Sequence, residues 1–198
     1  DNYIGLVADK KIISFSGTLC DHQKIIEILR CFDYCITNKL LNNEFILYIV
    51  GKNCFSNKYN KKLREVILNL NNSNNIRIEL DKNGISKNII DRLIEKSVLC
   101  IRLDQNREVI STKVLNYISH GKPIILQKLK VHEYLLGEDY PFYLNKNLNN
   151  CCYYLLNIFN QLDDHQLKKA IECINIAKIK ACDNYIYNLN TKLRELLT

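Results

Sequence analysis

The chain has 198 residues, of which 47% are hydrophobic and 25% charged, with a formal net charge of +7. That length suffices for one sizeable core, and the balance is that of a soluble globular domain, which excludes a disordered tail. No apolar run approaches the roughly 20 residues a membrane-spanning helix needs, and the start has no signal-peptide pattern. The first expected strand is Ile12–Ser16, followed by a helix on which Ile25, Ile26, Leu29, Phe32 and Ile36 recur at helical spacing. A second strand, Phe45–Val50, precedes a helix carrying Tyr59, Leu63, Val66, Ile67 and Leu70. The strand Ile76–Leu80 leads to a helix with Ile89, Ile90, Leu93 and Ile94, and then come strands Val98–Leu103 and Ile124–Gln127. Most of these strands are nearly continuous apolar runs, as a parallel sheet covered on both faces requires. Pro141 is expected in a loop or edge strand. Beyond about residue 147 the pattern is purely helical, with one stripe at Leu167, Ala170, Ile171, Ile174 and Ala177 and another at Leu189, Leu193, Leu196 and Leu197. The alternation predicts a doubly wound α/β domain over residues 1–146, with a helical extension over 147–198 packed on the same domain.

The absence of methionine and the start at Asp1 lead us to expect a fragment of a longer protein. Nine cysteines include no Cys-x2-Cys pair to seed a zinc site and no disulfide framework. They are expected to be reduced, small apolar residues, which points to a reducing cytoplasm. The basic charge is scattered without aromatic interleaving, so nucleic-acid binding is not expected. Attraction to nucleotide diphosphates or to an anionic membrane face fits the charge better.

Ligands of an open parallel sheet bind outside the carboxyl ends of its strands. Four segments fall there: Ser16-Gly17-Thr18, Gly51-Lys52, Asp81–Gly84 and Asp104–Thr112. Gly17 is expected to end the first strand and let backbone amides meet phosphate oxygens. Neither a Gly-x-Gly-x-x-Gly fingerprint nor a Gly-x4-Gly-Lys-Ser/Thr loop is present, and Gly121-Lys122-Pro123 reads as helix-to-strand punctuation. Ser111 or Thr112 should cap a helix with Val114, Leu115 and Ile118 on its apolar face. The free amides of its first turn form an anion site, to which Lys113 adds a charge. Glu108 precedes that helix, and Asn116 lies one turn beyond Thr112. His120 at a helix end is explained by the dipole, and no histidine sits beside a candidate nucleophile.

Residues 107–126, REVISTKVLNYISHGKPIIL, resemble the donor-binding segment of the retaining GT-B glycosyltransferases, with the Glu-x7-Glu pair followed by a Gly-Lys-Pro-Val-type strand entry. Glu108 keeps the first acid, and Asn116 stands where the second is expected. The family pattern also places Gly-Arg after the first strand and a lysine six residues after the arginine. Gly17 and Lys24 match, whereas Thr18 replaces the arginine and removes one bidentate phosphate clamp. The resemblance runs from about Ile12 to about Tyr143.

It implies a Rossmann-like sheet forming the C-terminal, nucleotide-sugar-binding half of a GT-B enzyme, with a retaining, metal-independent hexosyl transfer. Glu108, Lys113 and Lys24 would be the catalytic set. Ser16, Gly17, Thr18, Gly51, Ser111, Thr112 and Asn116 would bind the donor. The implied partners are a nucleotide-diphosphate sugar and an N-terminal acceptor-binding domain outside this chain, without which turnover is not expected. Family habit points to a surface polysaccharide or lipid-linked glycan made in the cytoplasm, with room for peripheral contact at the inner membrane face. The rival reading is a non-catalytic scaffold of the same fold that has lost donor binding, as Thr18 and Asn116 suggest. A receiver-like α/β domain is a distant third, because no acid pair follows the first strand.

Overall fold

In the computed structural model, residues 10–53, 57–81, 83–103, 110–145 and 148–197 are described. Six parallel strands form one sheet in the order β3-β2-β1-β4-β5-β6. They are β1 (Lys11–Leu19), β2 (Phe45–Asn53), β3 (Ile76–Asp81), β4 (Ser97–Ile101), β5 (Ile124–Gln127) and β6 (Tyr143–Leu144). Helices α1 (Ile25–Thr37), α2 (Asn57–Leu68), α3 (Lys87–Lys96), α4 (Thr112–Ser119) and α5 (Lys130–Leu136) alternate with them, and α6 (Cys151–Asn160) and α7 (Asp164–Leu197) follow. This is the Rossmann-like α/β architecture, with helices on both faces.

The two faces can be read from the alternation along β1 and β2. Ile13, Phe15, Leu47 and Ile49 are buried in the main core with Ile25, Leu29 and Phe32 of α1. Ile12, Ile46, Tyr48 and Val50 point the other way and pack with Leu93 of α3. The stripe expected on α1 is therefore fully used, and Phe32 also meets Phe159 of α6 edge-on, with ring centroids 6.0 Å apart. On α7, Leu167, Ala170, Ile174 and Ala177 are buried, and the helix lies against α4 and α5. Ile171, expected on the same stripe, is 41% exposed. The second stripe, at Leu189, Leu193, Leu196 and Leu197, falls on side chains outside those described.

Several expected boundaries change. β4 spans Ser97–Ile101 where Val98–Leu103 was expected, and β3 ends one residue later, at Asp81. Gly17 does not end the first strand: β1 runs on to Leu19, and β2 runs past Val50 to Asn53. The two strands pair in register over this extension, Gly17 opposite Gly51, so the glycines are part of the ladder and not of a loop. A strand that the sequence did not predict is β6, a two-residue edge strand directly after the turn holding Pro141. Because β6 starts late, the edge of β5 facing it is incomplete at Ile124. The Tyr140 hydroxyl completes it, accepting from the Ile124 N–H at 2.6 Å and donating to the Ile124 carbonyl at 2.9 Å.

Helix α4 ends as its sequence demands. Gly121 adopts a left-handed φ of 69°, its N–H bonds the Ile118 carbonyl, and the Lys122 N–H bonds that of Tyr117. The chain then enters β5 through Pro123. All eight cysteines among the described residues are free thiols, five of them buried. No helix among the described residues is long and apolar enough to cross a membrane.

Candidate functional site at the carboxyl edge of the sheet

Where β1 and β2 end, the backbone is bare by necessity. A Cβ placed on Gly51 would lie 1.7 Å from the Gly17 carbonyl oxygen, so no side chain fits between the strands there. A Cβ on Gly17 would meet the Lys113 Nζ at 2.6 Å and the Gln23 Oε1 at 3.0 Å. The pair of glycines thus leaves a floor of peptide groups with two polar side-chain ends gathered above Gly17.

Helix α4 forms one wall. Ser111 caps it, its Oγ accepting from the Val114 N–H at 3.3 Å. The Thr112 and Lys113 amides lie in the first turn, where a helix provides no backbone acceptor for them and its dipole favours an anion. Lys113 reaches back over β1, donating from Nζ to the Ser16 carbonyl at 3.1 Å. One turn on, the Tyr117 hydroxyl and the Ser16 Oγ lie 2.8 Å apart, both buried. Desolvation pushes the Tyr117 phenol well above its ordinary pKa, so the hydroxyl stays protonated.

Helix α3 forms the opposite wall. Asp91 accepts from Lys87 Nζ through Oδ2 at 2.7 Å and from Asn116 Nδ2 through Oδ1 at 3.4 Å. Those two bonds, Lys87 first, hold the Asp91 carboxyl below the ordinary aspartate range. Asn116 therefore does not stand alone on α4 but joins the two walls.

Together these walls enclose a cavity of about 500 Å³. Ser16, Gly17, Thr18, Gly51, Thr112, Lys113 and Asn116, all expected at the site, line it. Among the described lining residues, Lys52, Lys87 and Lys113 are cationic side chains and Asp91 is the one carboxylate. Such an excess of positive charge over bare peptide and a helix N-terminus suits an anionic ligand.

Two expected residues lie elsewhere. Lys24 does not line the cavity: it caps α1 in a left-handed conformation (φ 54°), and its Nζ is 3.9 Å from Glu27. Ser111 acts through its cap and not on the cavity wall. Glu108 lies outside the described residues. Lys52 and Gly84, from the expected Gly51-Lys52 and Asp81–Gly84 segments, also line the cavity, as do Ile85, Lys87, Ile90, Asp91 and Tyr117, which the sequence did not single out for it. Gln23 was not singled out either. This residue is only 4% exposed, and its Oε1 has no hydrogen-bond partner among the described residues. The available signal was position: Lys87 and Asp91 lie in the first turns of the helix after β3, at the same sheet edge as α4.

A second groove of about 500 Å³ lies between α1 and α2. Its buried acid, Asp33, is satisfied by the backbone N–H groups of Asn71 and Asn72 at 3.3 and 2.8 Å, so it anchors a turn. Among the described residues no three His, Cys, Asp or Glu side chains group as metal ligands.

No family model and no curated protein matches the chain. Solved structures do. Anabaena HepE in complex with UDP-glucose superposes with a TM-score of 0.70 at 16% identity, over 96% of this chain and 49% of HepE. Its complex with UDP and glucose gives 0.71 at 17% identity, with the same coverage. An α,α-trehalose-phosphate synthase (UDP-forming) from Burkholderia xenovorans gives 0.68 at 11% identity, over 92% of this chain and 44% of that one. The fold is that of one half of a GT-B glycosyltransferase, and the chain spans about half the length of these proteins.

Proposed function

We propose that this chain is the donor-binding half of a glycosyltransferase and that its cavity takes a nucleoside-diphosphate hexose, with uridine as the base. The observation that carries this reading is the convergence of the Gly17–Gly51 floor, the α4 N-terminus and Lys113 on one cavity. Its support in the base comes from HepE and the E. coli trehalose-6-phosphate structure, described as bound with UDP-glucose and UDP-2-fluoro glucose. The diphosphate lies over Gly17 and Thr18 within reach of the Thr112 and Lys113 amides and the Lys113 ammonium. As the sugar departs, negative charge grows on the diphosphate, and these fixed donors offset it without reorganising. Glu108 orients the hexose. The transfer is retaining, needs no metal and runs in the cytoplasm, on a surface polysaccharide or lipid-linked acceptor. The second half of the architecture, beyond this chain, closes the cleft and holds that acceptor, so the chain alone binds donor without turning it over.

The rival reading, a scaffold of the same fold without donor binding, is favoured by Thr18 and Asn116, which weaken the phosphate clamp and replace a carboxylate. Calorimetric titration of the chain with UDP-glucose separates the two. Saturable binding supports the transferase half; absence of heat at millimolar donor supports the scaffold.

A further inference from the structure

A cluster of thiols lies where the helical extension meets the α/β domain, and none of its members lines the carboxyl-edge cavity. Helices α1 and α6 pack against each other there, with Phe32 edge-on to Phe159 and with Cys31, Cys151 and Leu155 buried between sheet and helices. At the start of α6 the Cys31 thiol donates to the Cys152 carbonyl, with Sγ and oxygen 3.7 Å apart. The Cys31 and Cys152 thiols are also within hydrogen-bonding reach of each other. Residues 31 and 152 are distant in sequence, so this pair is held together by helix packing and not by a local turn.

The two thiols differ in a way that suits stepwise oxidation. Cys152 is half-buried, whereas Cys31 is only 3% exposed. A small oxidant from solvent therefore reaches Cys152 first. Burial, and next the neighbouring Cys152, hold the Cys31 thiol far above its ordinary pKa, so it stays protonated until its partner has reacted.

We propose that Cys152 and Cys31 are a peroxide-oxidised dithiol whose disulfide staples the helical extension to α1. The Cys152 sulfur attacks one oxygen of hydrogen peroxide, the O–O bond breaks, and water leaves as the sulfenic acid forms. The Cys31 sulfur then displaces hydroxide from the Cys152 sulfur, and the Cys31 proton completes a second water. Two thiols are thereby oxidised to one disulfide, and one peroxide is reduced to two waters. A disulfide of this kind in a reducing compartment is transient and redox-sensing, and an added dithiol reverses it by exchange. Closing so long a loop removes freedom from the unfolded chain and raises stability. The proposal does not depend on what the cavity binds.

The whole chain is reduced, treated with hydrogen peroxide, blocked with N-ethylmaleimide and mapped by non-reducing mass spectrometry, with fragmentation locating each linked sulfur. The expected product is an intramolecular Cys31–Cys152 disulfide, with a Tm about 5–15 °C above that of the reduced chain. Dithiothreitol should reverse both changes. Cys151→Ala should keep the bond and the Tm rise, and Cys152→Ala should lose both. A Cys151–Cys152 bond, or links only between copies of the chain, would overturn the proposal. So would thiols left unpaired by peroxide that oxidises free cysteine, or a Cys31–Cys152 bond that leaves Tm unchanged. The wild-type map decides the pairing even if a variant does not fold.

Discussion

Replacing Gly51 with alanine should cost more stability than any other single methyl added at the cavity. The new Cβ would start 1.7 Å from the Gly17 carbonyl oxygen, a backbone atom fixed in the β1–β2 ladder. Moving it to even a 3.0 Å contact requires the strand ends to part by more than an ångström. Neighbouring strands lie only about 4.8 Å apart, so such a shift breaks the local ladder hydrogen bonds. Overpacking of about 1–3 kcal/mol plus a ladder bond of about 1 kcal/mol gives roughly 3 kcal/mol in all. For a chain of this size, roughly 3 kcal/mol lowers Tm by about 6–12 °C. Gly17→Ala is the contrast. Its Cβ meets the ends of the Lys113 and Gln23 side chains, which can swing aside, and the Phe15 ring at 3.2 Å. It should lower Tm by less than about 4 °C while displacing the Lys113 amine and weakening ligand binding. Differential scanning calorimetry of both variants checks the ranking. A Gly51→Ala protein melting within about 2 °C of wild type, or below it by less than Gly17→Ala, would refute the close-approach argument.

Tyr140→Phe removes the hydroxyl that serves both backbone groups of Ile124, leaving them unpaired in a buried position. The expected loss is about 1–3 kcal/mol, read as a lower urea midpoint with an unchanged m-value. Thiol labelling at pH 8 should modify exposed Cys182 rapidly. Cys35, pushed up to about 11 by burial, and Cys100, pushed up to about 12, should react only on unfolding. The sign follows from burial disfavouring the thiolate, and mass mapping of the labelled peptides checks it.

The layout of the sheet was legible because its strands are long apolar runs and its helices have clean stripes. Ile25, Ile26, Leu29, Phe32 and Ile36 all proved buried, as did Leu93 and Ile94. β6 was not legible, since two residues carry no periodicity, and its partner Tyr140 reads as an ordinary aromatic. Gly17 and Gly51 misled in one respect. Glycine usually punctuates, yet here it continues two strands so that they can approach, a need visible only once the strands are paired. That Thr112 and Lys113 would line the cavity was legible because a helix N-terminus after a parallel strand sits at the carboxyl edge of the sheet. That Asp91 lines the cavity was not legible, because its pairing with Asn116 across two helices is a tertiary fact. The placement of Lys24 was not legible for a related reason. A six-residue spacing fixes position along the chain, but the left-handed turn at Lys24 and its proximity to Glu27 keep it off the cavity wall.

The central claim is that the Lys113 side of the cavity grips a diphosphate. Titration of UDP into the wild type and into Lys113→Ala, followed calorimetrically at low salt, tests it most directly. The account predicts saturable one-site binding, weakened about 10–100-fold by the substitution, with Tm changed little. Binding of UDP that is undiminished in Lys113→Ala, or no binding to the wild type at millimolar concentration, would contradict it.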